Sequence, residues 1–388
     1  MADYLQRWED DLWQWFTSAK VRAEHFDAAR LELLKNTYRL ERDSQPQVYA
    51  AADAAAAALG VTVPVTAYQV QSPLGMNASL AYIPGEVHIV LQGALTETLN
   101  AAELVALLGH ELGHFLLYEN WDRRHHTTAT ILAAMSSDRL AREEHLDSAR
   151  LLALYTEVFC DRAALAVCAD LATVVAMQLK VQTGLASVDP AAYLRQAEEI
   201  FRLDQPRADG ATHPEGFIRT RALQLWQQQG EAAAAEVGRL IEGTPELARL
   251  DLLGKMATSA VTREVITALL RPAWFQTETV LGHARLFFED FAPAGAPVDT
   301  GPAATAIARW DKALQDYVCY VLLDFATVDR SLEDVPLAAA LEMSGHLGLA
   351  KRFGAVAMKE LGLKKKALEQ LQGKAADLLA RAEGRAEA

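Results

Sequence analysis

The chain has 388 residues, 51% of them hydrophobic and 23% charged. This composition excludes a mainly disordered, collagen-like or disulfide-stapled protein and leaves room for two or three domains. The formal net charge of −14 argues against a nucleic-acid partner, which calls for a basic face, and against adsorption to anionic lipid.

No run approaches the roughly 18–20 apolar residues of a membrane-crossing helix, so no transmembrane segment is expected. The most apolar stretch, residues 163–177, is broken by Asp170. The acidic, aromatic start (Met1-Ala2-Asp3-Tyr4-Leu5) lacks the basic and apolar regions of a secretory signal. Cys160, Cys168 and Cys319 are an odd and sparse set, which points to a reducing compartment and hence a cytoplasmic location. Cys160 and Cys168, eight apart on one expected helix, lie about 12 Å apart along its axis. That is too far for a disulfide, and they read as small buried apolar side chains.

Along the chain, residues 2–42 carry helical periodicity through Leu5, Trp8, Leu12, Trp15 and Phe16. Asp43-Ser44-Gln45-Pro46 reads as a break, and a second helix runs from Gln47 to Leu59 and stops at Gly60. Strand signals follow at Val61–Gln71, Ser79–Ile83 and Glu86–Leu91, with Pro84-Gly85 as a turn. Three short strands predict a small sheet, most simply antiparallel. Helical patterning then continues to the end. It is interrupted by the Pro- and Gly-rich stretch 291–302, read as a loop or linker, and by Gly243-Thr244-Pro245. The expected fold is mainly α with a small antiparallel β-sheet. It divides into an N-terminal helical region (1–59), a core (60–242) and a C-terminal helical domain (243–388).

The informative segment runs from Asn100 to Phe115. Asn100 and Glu103 have the spacing of a capping box, and Leu104, Leu107, Leu108, Leu112 and Phe115 form a broad apolar stripe. His110 and His114, four apart, project from one helix face one turn apart and can bind a single ion. Glu111 sits beside the first of them. His-Glu-x-x-His on a helix is the arrangement of a zinc hydrolase whose glutamate is the general base.

A catalytic zinc takes a third protein ligand. Glu157 in Tyr155–Ala164 is the expected one, with Asp161 one turn on to hold a ligand imidazole through its other nitrogen. Glu143, Glu144 and His145 are alternatives, but they fall in a charged run (138–147) that reads as exposed. Downstream, Thr212-His213-Pro214 precedes a helix bearing Arg219, with Pro214 expected in its first turn. A histidine or arginine there can donate to an oxyanion.

Taken in order, these motifs resemble the zinc metallopeptidases of the HtpX and CAAX prenyl endopeptidase type, within the gluzincins (HExxH plus a distant Glu). The resemblance covers about residues 60–225. It starts at Asn77-Ala78 and the strand after it, continues through Pro84-Gly85 and Leu99–Leu104 into His110–His114, and ends with Glu157, Asp161, His213-Pro214 and Arg219. It implies a zincin-like catalytic core and one Zn2+ per chain on His110, His114 and Glu157. Glu111 would be the base, His213 a catalytic oxyanion or substrate-positioning group, and Asp161, Arg219 and Asn77 supports for ligand or substrate. It also implies an extended polypeptide substrate added to a sheet edge within Met76–Tyr82. The chain departs from membrane-embedded relatives, because the stretch between His114 and Glu157 has only a mild ten-residue apolar run, Thr127–Ser136. A zinc-dependent endopeptidase is therefore expected. The competing reading is a weakly active zinc-binding scaffold or chaperone-like adaptor working through its helical flanks, with a protein partner on the C-terminal helices and Trp8, Trp13 and Trp15 as contact residues.

Overall fold

A computed structural model of the chain describes residues 1–71, 75–204 and 206–386. The backbone forms two units, Met1–Gly243 and Thr244–Ala388.

The first unit holds helices α1 (Ala2–Trp8), α2 (Asp10–Thr17), α3 (Ala19–Asn36), α4 (Pro46–Leu59), α5 (Leu95–Thr98), α6 (Ala101–Glu119), α7 (Arg124–Ser137), α8 (Glu143–Cys168), α9 (Leu171–Thr183), α10 (Pro190–Leu203), α11 (Gly216–Gln229) and α12 (Ala234–Glu242). Its strands are β1 (Thr37–Arg39), β2 (Val65–Val70), β3 (Asn77–Ile83) and β4 (Glu86–Gln92), in the order β1-β2-β4-β3.

The sheet differs from the sequence reading in two ways. It gains β1, a three-residue strand at the end of a segment whose periodicity reads as helix, and it is mixed rather than antiparallel. β3 turns back on β4 through Gly85, which sits at φ +73°. β2 and β4 therefore run in the same direction, pairing Val65 with Val87 and Gln69 with Leu91. β3 forms an edge of the sheet. Val87, Ile89 and Leu91 of β4 face inward and share a core with Val48, Ala52 and Ala55 of α4 and Leu104, Leu108 and Leu112 of α6. The alternation of β4 thus buries one face against two helices, as a half-covered strand requires.

α6 starts on a complete capping box. Asn100 Oδ1 accepts from the Glu103 backbone N–H at 3.0 Å, and Glu103 Oε2 accepts from the Asn100 N–H at 2.8 Å. Lys180 of α9 donates to the same Glu103 oxygen at 2.8 Å, so this carboxylate is paired as well as buried. α6 packs along α8, and two glycines set how closely. A Cβ on Gly113 would meet Cys160 Cα at 3.0 Å, and one on Gly109 would meet Val167 Cγ2 at 3.0 Å. The helices approach to a distance that only hydrogen side chains allow.

At the N-terminus, α1 and α2 pack on α7. Trp13 is buried there while Trp8 and Trp15 remain exposed. In the second unit, α13 (Leu252–Leu269), α14 (Glu278–Phe287), α15 (Gly301–Ile307), α16 (Lys312–Thr327), α17 (Val335–His346), α18 (Ala350–Leu361) and α19 (Lys365–Ala386) surround Phe275, Phe325 and Phe353. The Pro-rich stretch at 291–302 joins α14 to α15 inside this unit and is not a linker between units. Among the described residues no helix is long and apolar enough to cross a membrane.

Gly113→Val places branched carbons against the backbone of α8 and is expected to destabilise the first unit by about 1–3 kcal/mol. Chemical denaturation followed by circular dichroism checks it. Gly282→Ala serves as the control, because nothing lies within 4 Å of its built Cβ and helical Gly→Ala changes are neutral to stabilising.

Candidate metal centre

α6 and α8 bring the chemistry together. His110 and His114 lie one turn apart, with ring centroids separated by 5.2 Å. Glu157 on α8 faces both rings, its Oε2 3.3 Å from His110 Nε2 and its Oε1 3.5 Å from His114 Nε2. His110 Nδ1 lies 3.1 Å from Asp161 Oδ1. A carboxylate only accepts, so this nitrogen carries a hydrogen, and Nε2 is the nitrogen that a cation would take once it displaces any proton there. His110, His114 and Cys160 also bring ligand atoms within 4.8 Å of one another, a set capable of holding one zinc ion.

Asp161 is almost fully buried and accepts further bonds from Arg219 Nε at 2.7 Å, Arg219 Nη2 at 2.5 Å and Gln178 Nε2 at 2.8 Å. Arg219 Nη2 also lies 3.6 Å from Glu157 Oε2. His213 sits in the loop before α11 with Nε2 3.4 Å from the same oxygen, its Nδ1 bonded to Thr212 Oγ1 at 2.9 Å. Pro214 lies in that loop too, because α11 starts at Gly216.

Electrostatics at this centre favour a cation. Glu111, Glu157 and Asp161 are buried carboxylates, and Arg219 is the buried guanidinium among them. Burial pushes Glu111 up to about 7; the His110 charge opposes this and that of Glu157 adds to it. Burial disfavours a charged His110, but hydrogen bonds to Asp161 and Glu157 outweigh it and raise its proton affinity well above that of a free imidazole. Burial and the neighbouring His110 push His114 down to about 4, leaving a neutral ring able to ligate. Burial works against the charge on Glu157, yet hydrogen bonding to His110 and the nearby cations hold its carboxyl below the usual range. Two carboxylate oxygens, Glu111 Oε2 and Glu157 Oε2, are buried without a hydrogen bond of normal geometry. Orphaned anionic oxygens beside two imidazoles fit a divalent cation, which supplies the charge and the partners they lack.

A cavity of about 570 Å³ opens over these groups, lined by Asn77 and Leu80 of β3, by His110, Glu111, His114 and Glu157, and by His213 and Arg219. Most of 138–147 is exposed as expected, and Glu144 is the exception, buried against Arg142. Neither it nor Glu143 or His145 lines this cavity.

The sequence reading missed Gln178, a polar residue inside the otherwise apolar run Val174–Leu179 of α9 whose burial signals a polar partner. It also treated Cys160 only as packing. The thiol is fully buried and burial raises its pKa well above the ordinary value, which opposes the thiolate that a metal needs.

Residues 42–227 match the model of peptidase family M48. The chain carries an M48-type zinc metallopeptidase domain. The match covers the four-stranded sheet from β2 onward, α6 with its histidines, Glu157 and Arg219. A curated relative, the plastoglobule-localized metallopeptidase 48, chloroplastic, of Arabidopsis thaliana, is 29% identical over 184 residues, 42% of this chain and 52% of the relative. The chain thus spans about half the length of that relative. No solved structure matches. The cytoplasmic location expected from the cysteines is overturned by this match, since the relative is a plastoglobule-localized, chloroplastic protein. Sparse thiols report a reducing environment, and that alone does not single out one compartment.

Asp161→Ala is expected to leave Arg219 buried without its main partner and to cost about 3–5 kcal/mol. It is also expected to weaken zinc binding about 10–100-fold by freeing the His110 ring. Denaturant titration and competition with a chromophoric chelator measure the two effects separately.

Proposed function

We propose that this chain is a zinc-dependent endopeptidase of the HtpX and CAAX prenyl endopeptidase type, with His110, His114 and Glu157 as the ligands of one zinc ion. The observation that carries the reading is the Glu157 carboxylate, which spans the two imidazoles with one oxygen toward each. Cys160 is the competing third ligand. Against it stand its full burial, the raised pKa of its thiol, and its position against Gly113, outside the walls of the cavity in which a substrate would lie.

Zinc held there supplies a Lewis acid and a water acidic enough to be deprotonated near neutral pH. Glu111, set between β3 and the histidines and bonded to the Leu80 backbone, is the group that would hold the proton given up by an attacking water. It later passes a proton to the leaving amine. His213, with its Nε2 toward Glu157, donates to the negative charge that develops on the carbonyl oxygen. Asp161 and Arg219 hold His110 and Glu157 in place. The substrate is an extended polypeptide adding to the free edge of β3, with Asn77 at its entry end. Its edge N–H and C=O groups are the natural template for such a strand.

Glu111→Gln is expected to keep its zinc and lose roughly 10²–10⁴-fold in turnover of an unfolded protein substrate, whereas His110→Ala and His114→Ala lose metal and turnover together. Elemental analysis beside a fluorogenic cleavage assay distinguishes the outcomes. Wild-type cleavage by Glu111→Gln refutes the base.

Zinc stoichiometry also decides the third ligand. Glu157→Ala is expected to fall well below one ion per chain and Cys160→Ser to remain near one. The reverse pattern assigns the site to the thiol.

A further inference from the structure

Next to the metal centre lies a second recess, of about 280 Å³, between α7 and α8. Its far wall is Ala129 and Leu132 of α7 and Ala149, Leu152 and Ala153 of α8. Its near wall, His114, Tyr118, Glu157 and His213, is shared with the cleft.

We propose that this recess selects the substrate by receiving an aliphatic or aromatic side chain from the residue next to the scissile bond. The proposal rests on the peptidase reading above and names the substrate class for it. Continuity fixes the occupant. A side chain in the recess passes His114 and Glu157, so the backbone it hangs from lies over the groups that hold the reacting carbonyl.

Chemistry fixes its type. The α7 and α8 walls are alkyl, and the polar groups nearby are engaged. Thr156 Oγ1 donates to the Leu152 carbonyl at 2.8 Å and meets His125 Nε2 at 3.0 Å, and Thr212 is bonded to His213. The Glu157 carboxylate is faced by two imidazoles, His213 and Arg219. A charged side chain entering here loses its hydration against alkyl walls, and an acidic one also meets the Glu157 carboxylate.

Size agrees. A cavity of roughly 150 Å³ accepts benzene, so this one takes leucine, methionine or phenylalanine. The room comes from four alanines, with Ala149 and Ala153 one turn apart on α8 and Ala129 and Ala133 one turn apart on α7. Tyr118 stands at the mouth with its ring stacked on His125, centroids 5.8 Å apart and planes at 19°. Its position is therefore held from behind.

The test uses the zinc-loaded full chain. Mass-spectrometric mapping of bonds cut in an unfolded protein mixture is expected to show leucine, methionine and phenylalanine enriched at one position flanking the cut. Ala153→Phe fills the recess. It is expected to lower kcat/KM for a leucine-bearing peptide at least tenfold relative to its alanine counterpart, in line with about 10–200-fold per methylene in apolar specificity pockets. Leu132→Ala enlarges the recess and shifts preference toward phenylalanine and tryptophan. Equal zinc content in wild type and variants shows that the centre survived.

Unchanged cleavage preferences in both variants overturn the proposal. A binding assay separates its failure from that of the peptidase reading. Glu111→Gln is titrated with labelled peptides that differ only in leucine or aspartate at that position. Affinity at least tenfold tighter for leucine supports the recess even where turnover is absent. Equal affinity, or no binding of either, overturns it.

Discussion

A single buried carboxylate holds this unit in register. Asp161 on α8 accepts from Arg219 on α11, Gln178 on α9 and His110 on α6, so four helices meet at two oxygens. An isolated carboxylate at such depth is strongly disfavoured. Here both oxygens have donors, three on Oδ1 and one on Oδ2, and one partner carries a full charge. The arrangement therefore fixes geometry more than it adds stability, since a buried ion pair seldom outperforms apolar packing. What it fixes is the orientation of one imidazole and, through the same guanidinium, the placement of Glu157.

Around that anchor, two opposite tendencies are balanced. The centre gathers more buried carboxylates than buried cations, and it leaves two of their oxygens without hydrogen bonds. The glycines of α6 let α8 approach closely enough for Glu157 to face the histidine pair at all. Packing thus brings anionic groups together at a distance where only a cation makes their company favourable. The lowered basicity of His114 and the raised basicity of Glu111 come from that same crowding in a dry pocket.

Much of this was legible in the sequence wherever a short-range periodicity carried it. The i, i+4 relation of His110 and His114, and of Glu157 and Asp161, is visible without coordinates because helical geometry converts spacing into a shared face. The capping box of α6 and the inward positions of β4 are legible for the same reason. What failed to show was long-range. Gln178 reaches Asp161 across a helix–helix contact that no local pattern encodes. β1 is three residues long and is held by its pairing with β2 rather than by its own propensity. The parallel pairing of β2 with β4 depends on strand order, which alternation cannot supply. Glu144 lies in a charged run yet is buried by its tertiary setting. The compartment was not legible either, since a count of thiols constrains redox state and no address.

The path between α6 and α8 has its own logic. After Glu119 the backbone takes three successive left-handed residues, Trp121, Asp122 and Arg123, at φ of 50°, 54° and 61°, and α7 leaves from that reversal. None of the charged or imidazole groups that face the centre is on α7; they belong to α6, α8, α11 and the loop before α11. This excursion is therefore modular. Substitutions on its Ala129 and Leu132 face are expected to reshape what the cleft accepts without removing any of the groups that face the centre.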